Sequence, residues 1–549
     1  MKKNIFLIVA FFIFHLSHFT SQSQTPTIGL TQYDLPNTDG YILFAPVPSK
    51  NTYLINKCGE LIHQWNSNYN PGLSAYLLSD GKLLRAGYGL NTHFTAGGCG
   101  GVIEEYDWSG TLTWKYFISD SFQCQHHDVK ILPNGNVLAI VWDRRDSTEA
   151  VANGKNPATT NAELWSEKIV ELQPVGTNSA NIIWEWKLWD HLVQDFDSGK
   201  PNYGVVSDHP ELVNLNYFVG PPTSFDWIHF NSIDYNPALD QILLSSHNLS
   251  EIWIIDHSTT TTQAATHAGG NSGKGGDILY RWGNPQAYNR GNASDQKFFK
   301  QHHARWIGSG LPDEGKILVF NNGLNRTGGD YSSVDMIATP IDGNNQYPVP
   351  ATIAFLPSNL FWTYSAPTPS DFYAPNISGA YQLANRSFII TDGPKGILFE
   401  IDSSKNTVWK YVNPVNQQGA MTQGATAMNN SVFHCEFYLP TYSGFSGHTL
   451  AAGNEIEINP ISPSLCELSL VEIISDENVF SLLQNPCLQC SVRINEKENI
   501  MLMDVTGRII PLAISVREGA IDFDLNDIAP GFYFVRNTTS GKTIKLVRP

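Results

Sequence analysis

Positive charge is scarce in this chain. Of its 549 residues only 15% are charged, and 34 Lys+Arg stand against 51 Asp+Glu, a formal net charge of -17. A protein that neutralises duplex phosphates carries a basic surplus, so this balance argues against nucleic acid as a partner. Cysteine is scarce too, at seven residues, which is too few for a disulfide scaffold yet compatible with an oxidising compartment. An odd count leaves at least one unpaired within the chain. Cys487 and Cys490 have CxxC spacing, but no second pair completes a zinc site and no thioredoxin-like context surrounds them, so a disulfide or two inert thiols is expected. A P-loop is absent, and so is GxGxxG after a strand. Gly269-Gly270 and Gly273 to Gly276 lack the spacing and the following helix that phosphate binding needs, and read as a flexible loop. Long apolar runs are missing except for Ile5 to Leu16, broken by His15, behind Lys2-Lys3 and ahead of the polar Ser17 to Gln24. That layout is a secretory signal peptide over 1–24, and the run is shorter than the ~20 residues of a membrane-spanning helix.

What is abundant is apolar and aromatic surface. The chain is 42% hydrophobic and 12% aromatic, with 14 Trp, 22 Tyr and 28 Phe, which excludes intrinsic disorder. Amphipathic helical periodicity is almost lacking. In its place one module recurs: a turn signal followed by a β-rich run, as in Asp80-Gly81 then KLLRAG, Asn134-Gly135 then NVLAIVW, Asp240 then QILLSS, Gly315 then KILVFNNG, and Asn385 then RSFIITDG. Later in each module a hairpin closes on tryptophan: Trp65, Trp114, Trp184 or Trp186, Trp282, Trp362 and Trp409. Six four-stranded units over ~400 residues predict an all-β fold, a six-bladed β-propeller over 25–455, with the tryptophans packing between blades. After a Pro-containing connector at 456–475, residues 476–549 alternate apolar and polar positions as a small β-sandwich does.

Three segments that precede the turns begin with histidine: His127 in HDVKIL, His229 in HFNSID and His303 in HARWI. First strands of propeller blades line one axis, so the three imidazoles are expected to meet. Two chemistries fit them. Three neutral imidazoles can hold a zinc-like ion with an open position. Alternatively one attacks as a free base while the others donate protons or hold an anion. Period-2 geometry puts Arg305 on the face of His303, where it would supply a fixed cation. Lys130 is a second candidate for that field, though a solvated or structural role suits it better.

Two resemblances follow from motifs. The C-terminal stretch resembles the sorting domain of the Bacteroidetes type IX secretion system, through Asn485-Pro486, Asp504 to Arg508, Pro530 to Val535 and Lys545-Leu546-Val547. It implies the type IX machinery as a partner and a product secreted or held on the outer-membrane surface. The central part resembles the bacterial arylsulfate sulfotransferases that work without a nucleotide sulfate donor. The matching segments are His127 with Leu132 to Gly135, Asp226 to Ser232, Ile242 to Ser246, Gln301-His302-His303 with Trp306, and Phe320 to Gly323. The resemblance implies a propeller, no cofactor, no resident metal, and ping-pong transfer of a sulfuryl group from an aryl sulfate to a channel histidine and then to a phenol. By motif the nucleophile falls on His303 rather than His302, with His127 and His229 moving protons and holding sulfuryl oxygens, and Arg305, His247 and Asn231 binding substrate. His247 stands where the family carries a sulfuryl-contacting arginine. The family's extra N-terminal dimerisation domain has no counterpart, which leaves the oligomeric state open. A metal-dependent propeller hydrolase or lyase, and a propeller that only binds ligands, remain alternatives at this point.

Overall fold

In the computed structural model, residues 25–217, 224–461 and 464–466 are described, together with 481–482, 489–493, 500–504, 508–512, 514–517, 520–529, 531–538 and 543–548. The expected leader at 1–24 and much of the expected connector at 456–475 lie outside the described residues. Six antiparallel sheets of four or five strands occupy the stretch up to residue 438 among the described residues. Their first strands are β1 (Pro71–Leu77), β2 (Gln123–Ile131), β3 (Phe230–Asn236), β4 (His302–Trp306), β5 (Gly379–Gln382) and β6 (Val432–Tyr438). Sheets one to four are each four consecutive strands, and the fifth gains Gly29–Tyr33 at its outer edge. The sixth joins the two ends of this region, because β6 pairs with Tyr41–Pro46, followed by Asn51–Asn56 and Leu61–Asn66. Each first strand contacts the first strand of the next sheet, and β6 contacts β1.

The second strands read as continuous apolar runs because both of their faces are covered. Leu83 packs towards sheet six and Leu84 towards sheet two. Leu244 faces sheet two while Leu243 faces sheet four, and Ile389 and Ile390 divide in the same way between sheets six and four. Six separate apolar cores result, one for each pair of neighbours.

The repeat-closing tryptophans lie on the fourth strands and tie each sheet to the next. Trp65 Nε1 donates to Asp107 O at 3.0 Å, Trp114 to Ser179 O at 2.8 Å, Trp186 to Gly276 O at 2.7 Å, Trp282 to Pro357 O at 2.7 Å and Trp409 to Lys57 O at 2.7 Å. Trp362 instead stacks on Phe388 of sheet five, with ring centroids 4.4 Å apart. A buried indole N–H left without an acceptor costs about 1–3 kcal/mol, so these bonds fix the spacing between sheets as well as filling space.

Beyond residue 480, two four-stranded antiparallel sheets share a core of Cys490, Val492, Leu502, Ile521, Phe523, Leu525, Tyr533, Val535, Ile544 and Leu546. Cys58 and Cys466 form a disulfide, Cys490 is also disulfide-bonded, and Cys99, Cys124 and Cys435 are free thiols. Among the described residues no helix is long and apolar enough to cross a membrane.

Candidate functional site

The first strands do not run evenly. Pairing slips within β1, β3 and β4 and opposite β2 and β6, and His127, His229 and His303 all take positive φ, at 53°, 55° and 53°. Such bulges re-aim side chains, and non-glycine residues hold this backbone only where their surroundings enforce it.

Four imidazoles and one phenyl ring form a closed circuit at this level. Ring centroids are 4.5 Å apart for His127–His229, 5.0 Å for His229–His247 and 5.2 Å for His247–His302. Phe433 of β6 closes it, 6.3 Å from His302 and 6.0 Å from His127. Two of the three histidines expected to meet do so. The third member is His302, because the bulge between His302 and Arg305 defeats a simple count of alternating faces.

Each ring in the circuit is held from behind. Asn322 follows the second strand of sheet four, and its Nδ2 donates to Ala374 O at 2.8 Å and Ile377 O at 2.9 Å. Both partners are carbonyls, so Asn322 Oδ1 must face His302 Nδ1, 2.8 Å away. The neutral ring therefore carries its proton on Nδ1 and leaves the lone pair on Nε2. Burial depresses the basicity of His302 to about 3, so the ring stays neutral. His229 Nδ1 bonds the Asp226 carboxylate, whose other oxygen accepts from Trp142 Nε1 at 3.2 Å. Behind His127, its Nδ1 lies 2.9 Å from His126 Nδ1, and His126 Nε2 lies 2.8 Å from Glu167 Oε2. His126 is sandwiched on Trp142, with ring centroids 3.9 Å apart.

Burial, and then the proximity of His229, hold His126, His127 and His247 well below the usual imidazole range. Burial pushes Glu167 well above the carboxylate range, aided by Asp226. Lys300 donates to Asn248 O at 3.3 Å beside His247, and burial lowers its ammonium to about 8.

The other residues singled out by sequence lie in a second layer. His303 packs against Tyr381 and His434, with centroids 5.0 and 4.6 Å away, and its Nε2 is sealed without a partner. Arg305 shares that layer, as the same-face count requires, but it is not turned to the circuit. Its Nη2 donates to Tyr76 OH, and it pairs with Asp128 at 3.5 Å and Asp234 at 3.9 Å. Lys130 is likewise paired with Asp234, at 2.7 Å. Asn231 Nδ2 donates to Gln301 O at 2.7 Å and so positions the residue ahead of His302; its Oδ1 is sealed. Donor atoms of His303, His434 and Glu436 lie within 4.8 Å of one another, as metal ligands do. However, His303 Nδ1 accepts from Ala380 N at 3.3 Å, which places the ring proton on Nε2 and opposes ligation there.

Sequence reasoning passed over His126, Glu167, His302, Asn322, Lys300 and Phe433 as functional groups. His126 and His302 were visible as the first halves of His-His pairs. Asn322 lies in the quoted Phe320 to Gly323 motif, whereas Phe433 carried no signal of its own.

Comparison with known proteins gives one family. No curated protein matches the chain. Similar solved structures include a Bacteroides caccae protein of unknown function (11% identity, 73% of this chain and 99% of that one, TM-score 0.38). Virginiamycin B lyase from Staphylococcus aureus (11%, 76% and 97%, TM-score 0.34) and a putative 6-phosphogluconolactonase from Bacteroides fragilis (8%, 74% and 99%, TM-score 0.33) are others. The family model for arylsulfotransferase (ASST) matches residues 78–433, more than half of the chain and the whole span that builds the histidine circuit. The chain belongs to the arylsulfotransferase family.

Proposed function

We propose that the protein moves a sulfuryl group from an aryl sulfate to a phenolic acceptor, through a covalent intermediate on His302 Nε2. The observation that carries the assignment is the Asn322 amide, which leaves His302 with a bare Nε2 in a circuit shared with His127, His229 and His247. His303, the residue favoured by motif, has its Nε2 sealed and sits in the second layer. In the first half-reaction the Nε2 lone pair of His302 forms the N–S bond as the S–O bond breaks towards the aryl oxygen. In the second, the acceptor oxygen attacks sulfur and the lone pair returns to His302.

Sulfuryl transfer resembles phosphoryl transfer in its loose, anionic transition state, so positioned donors and cations carry most of the rate. Asp226 fixes the orientation of the His229 ring through Nδ1, and the Lys300 ammonium beside His247 supplies the cation that position 247 itself lacks. The apolar Phe433 ring offers a face for the aryl group. The six sheets are read as blades of a six-bladed propeller; the ring of first-strand contacts and the tryptophan links support that closure. Residues 1–24 are read as an export leader and 476–549 as a type IX sorting domain, which agrees with a C-terminal core of its own. The mature protein is then secreted or surface-held.

The experiment is incubation with 4-nitrophenyl sulfate with and without a phenol. Nitrophenol release that rises with the phenol, together with sulfated acceptor, is expected for the wild type and His303→Ala and is absent in His302→Ala. No release, or release without sulfated acceptor, refutes transfer. For export, cells expressing the chain without 476–549 should retain it inside; secretion of the truncated chain refutes the sorting role.

A further inference from the structure

Two buried groups stand in series behind His127 of the circuit: Glu167 Oε2 lies 2.8 Å from His126 Nε2, and His126 Nδ1 lies 2.9 Å from His127 Nδ1. All three side chains are buried, and His126 is clamped flat on Trp142, so the positions of the rings along this line are fixed. We infer that Glu167, His126 and His127 form a proton relay in which Glu167 is the reservoir and His127 Nε2 the port that serves both aryl oxygens. The inference rests on the transfer reaction proposed above and deepens it.

Imidazole passes a proton by taking one on a nitrogen while giving one from the other. With Glu167 protonated, its O–H donates to His126 Nε2, His126 Nδ1–H donates to His127 Nδ1, and His127 presents Nε2–H. When the donor's S–O bond breaks, the aryl oxygen takes that proton. His127 Nδ1 takes one from His126 Nδ1, His126 Nε2 takes one from Glu167, and a carboxylate remains. In the second half-reaction the phenol returns its proton to His127 Nε2, each step reverses, and Glu167 is protonated again. Neither His126 nor His127 is left protonated on both nitrogens at either stage, which avoids the cost of desolvating a second cationic ring beside sulfated His302. Burial and the nearby carboxylates of Asp226 and Asp143 favour the protonated Glu167 that the resting state needs, against the opposing Phe230 N–H.

Glu167→Gln tests the relay sharply. Phe230 N donates to Glu167 Oε1 at 2.9 Å, so the amide oxygen is held there and the NH2 faces His126 Nε2. The variant is then frozen in the resting polarity and cannot release a proton. For phenyl sulfate, whose leaving oxygen needs protonation, kcat/KM should fall about 100-fold or more. For 4-nitrophenyl sulfate, a far better leaving group, it should fall less than about 10-fold. A ratio of these two numbers is independent of the fraction of protein folded. His126→Gln, which interrupts the same line, should show the same selectivity, and the wild type should respond only weakly to leaving-group basicity. An equal loss for both donors, or none, overturns the relay and leaves the transfer reaction standing. Absence of transfer in the wild type refutes the transfer reaction instead. If neither variant folds, a steep wild-type dependence on leaving-group basicity overturns the relay on its own.

Discussion

Replacing Asn322 by alanine removes the acceptor for His302 Nδ1–H at 2.8 Å, along with the two amide bonds to Ala374 O and Ile377 O that prevent the amide from flipping. Two separable consequences follow. The ring loses about 1–1.5 kcal/mol of preference for the Nδ1–H form, so the ratio of the form with a bare Nε2 to the other tautomer falls about 5- to 10-fold and its population by less. Orphaning Ile377 O, and leaving Ala374 O with only the 3.4 Å bond from Ser332 Oγ, destabilises the fold by a further ~1–3 kcal/mol. The variant should therefore unfold at lower urea concentration, yet at full folding it should show a donor kcat/KM reduced several-fold, by no more than about 10-fold. The KM for the phenol should stay close to wild type, because the amide does not reach the acceptor. The assay is initial-rate release of nitrophenol over a grid of donor and phenol concentrations, beside a urea titration of the same sample. Wild-type donor kcat/KM in a folded Asn322→Ala would refute the tautomer argument. A loss as deep as that of His302→Ala would show that Asn322 does more than orient the ring.

Asp226→Asn should act through the same logic. Trp142 Nε1 pins the amide oxygen, the NH2 meets His229 Nδ1, and the wrong tautomer should cost on the order of 100-fold or more in kcat with little change in stability; a near-normal rate contradicts the dyad. Glu400→Ala strands Lys57, which pairs with Glu400 at 2.8 Å and is itself lowered to about 8 by burial. That pair joins sheets five and six, so urea unfolding should show a loss of about 3 kcal/mol or more, and a loss under about 1 contradicts it. Acid should also destabilise the fold. Unfolded His302 takes up a proton near its ordinary value, while the folded ring resists down to about 3. The unfolded state then binds more protons, and stability falls as pH drops below about 6.5, by about 2 kcal/mol between about pH 7 and pH 5 from this ring alone. His302→Asn should flatten part of that slope in paired urea titrations; an unchanged slope contradicts the buried neutral ring.

Much of the architecture was legible because it is local. Every repeat-closing tryptophan lies on a fourth strand, and each turn-plus-run found in the sequence is a second strand behind its turn. The sixth first strand was not legible. Val432–Tyr438 pairs with Tyr41–Pro46 nearly the whole span away, and no local periodicity reports such a pairing. Phe433, His434 and Glu436 therefore went unnoticed with it. The exchange of His303 for His302 has a different cause. Arg305 lies in the layer of His303, but a bulge with φ of 53° at His303 turns that layer away from the circuit, and bulges of this kind leave no reliable mark in composition. Glu167 and His126 escaped because a carboxylate on a third strand and a histidine one residue early acquire meaning only when their distances are known.

The most direct test of the account is the location of the sulfuryl group. The protein is incubated with 4-nitrophenyl sulfate in the absence of any phenol, digested at neutral pH to spare the N–S bond, and the peptide spanning Gln301 to Arg305 is fragmented by tandem mass spectrometry. One added SO3 on His302 is predicted, retained in His303→Ala and cleared when phenol is supplied. An adduct on His303, on another histidine, or nowhere on the chain contradicts the assignment.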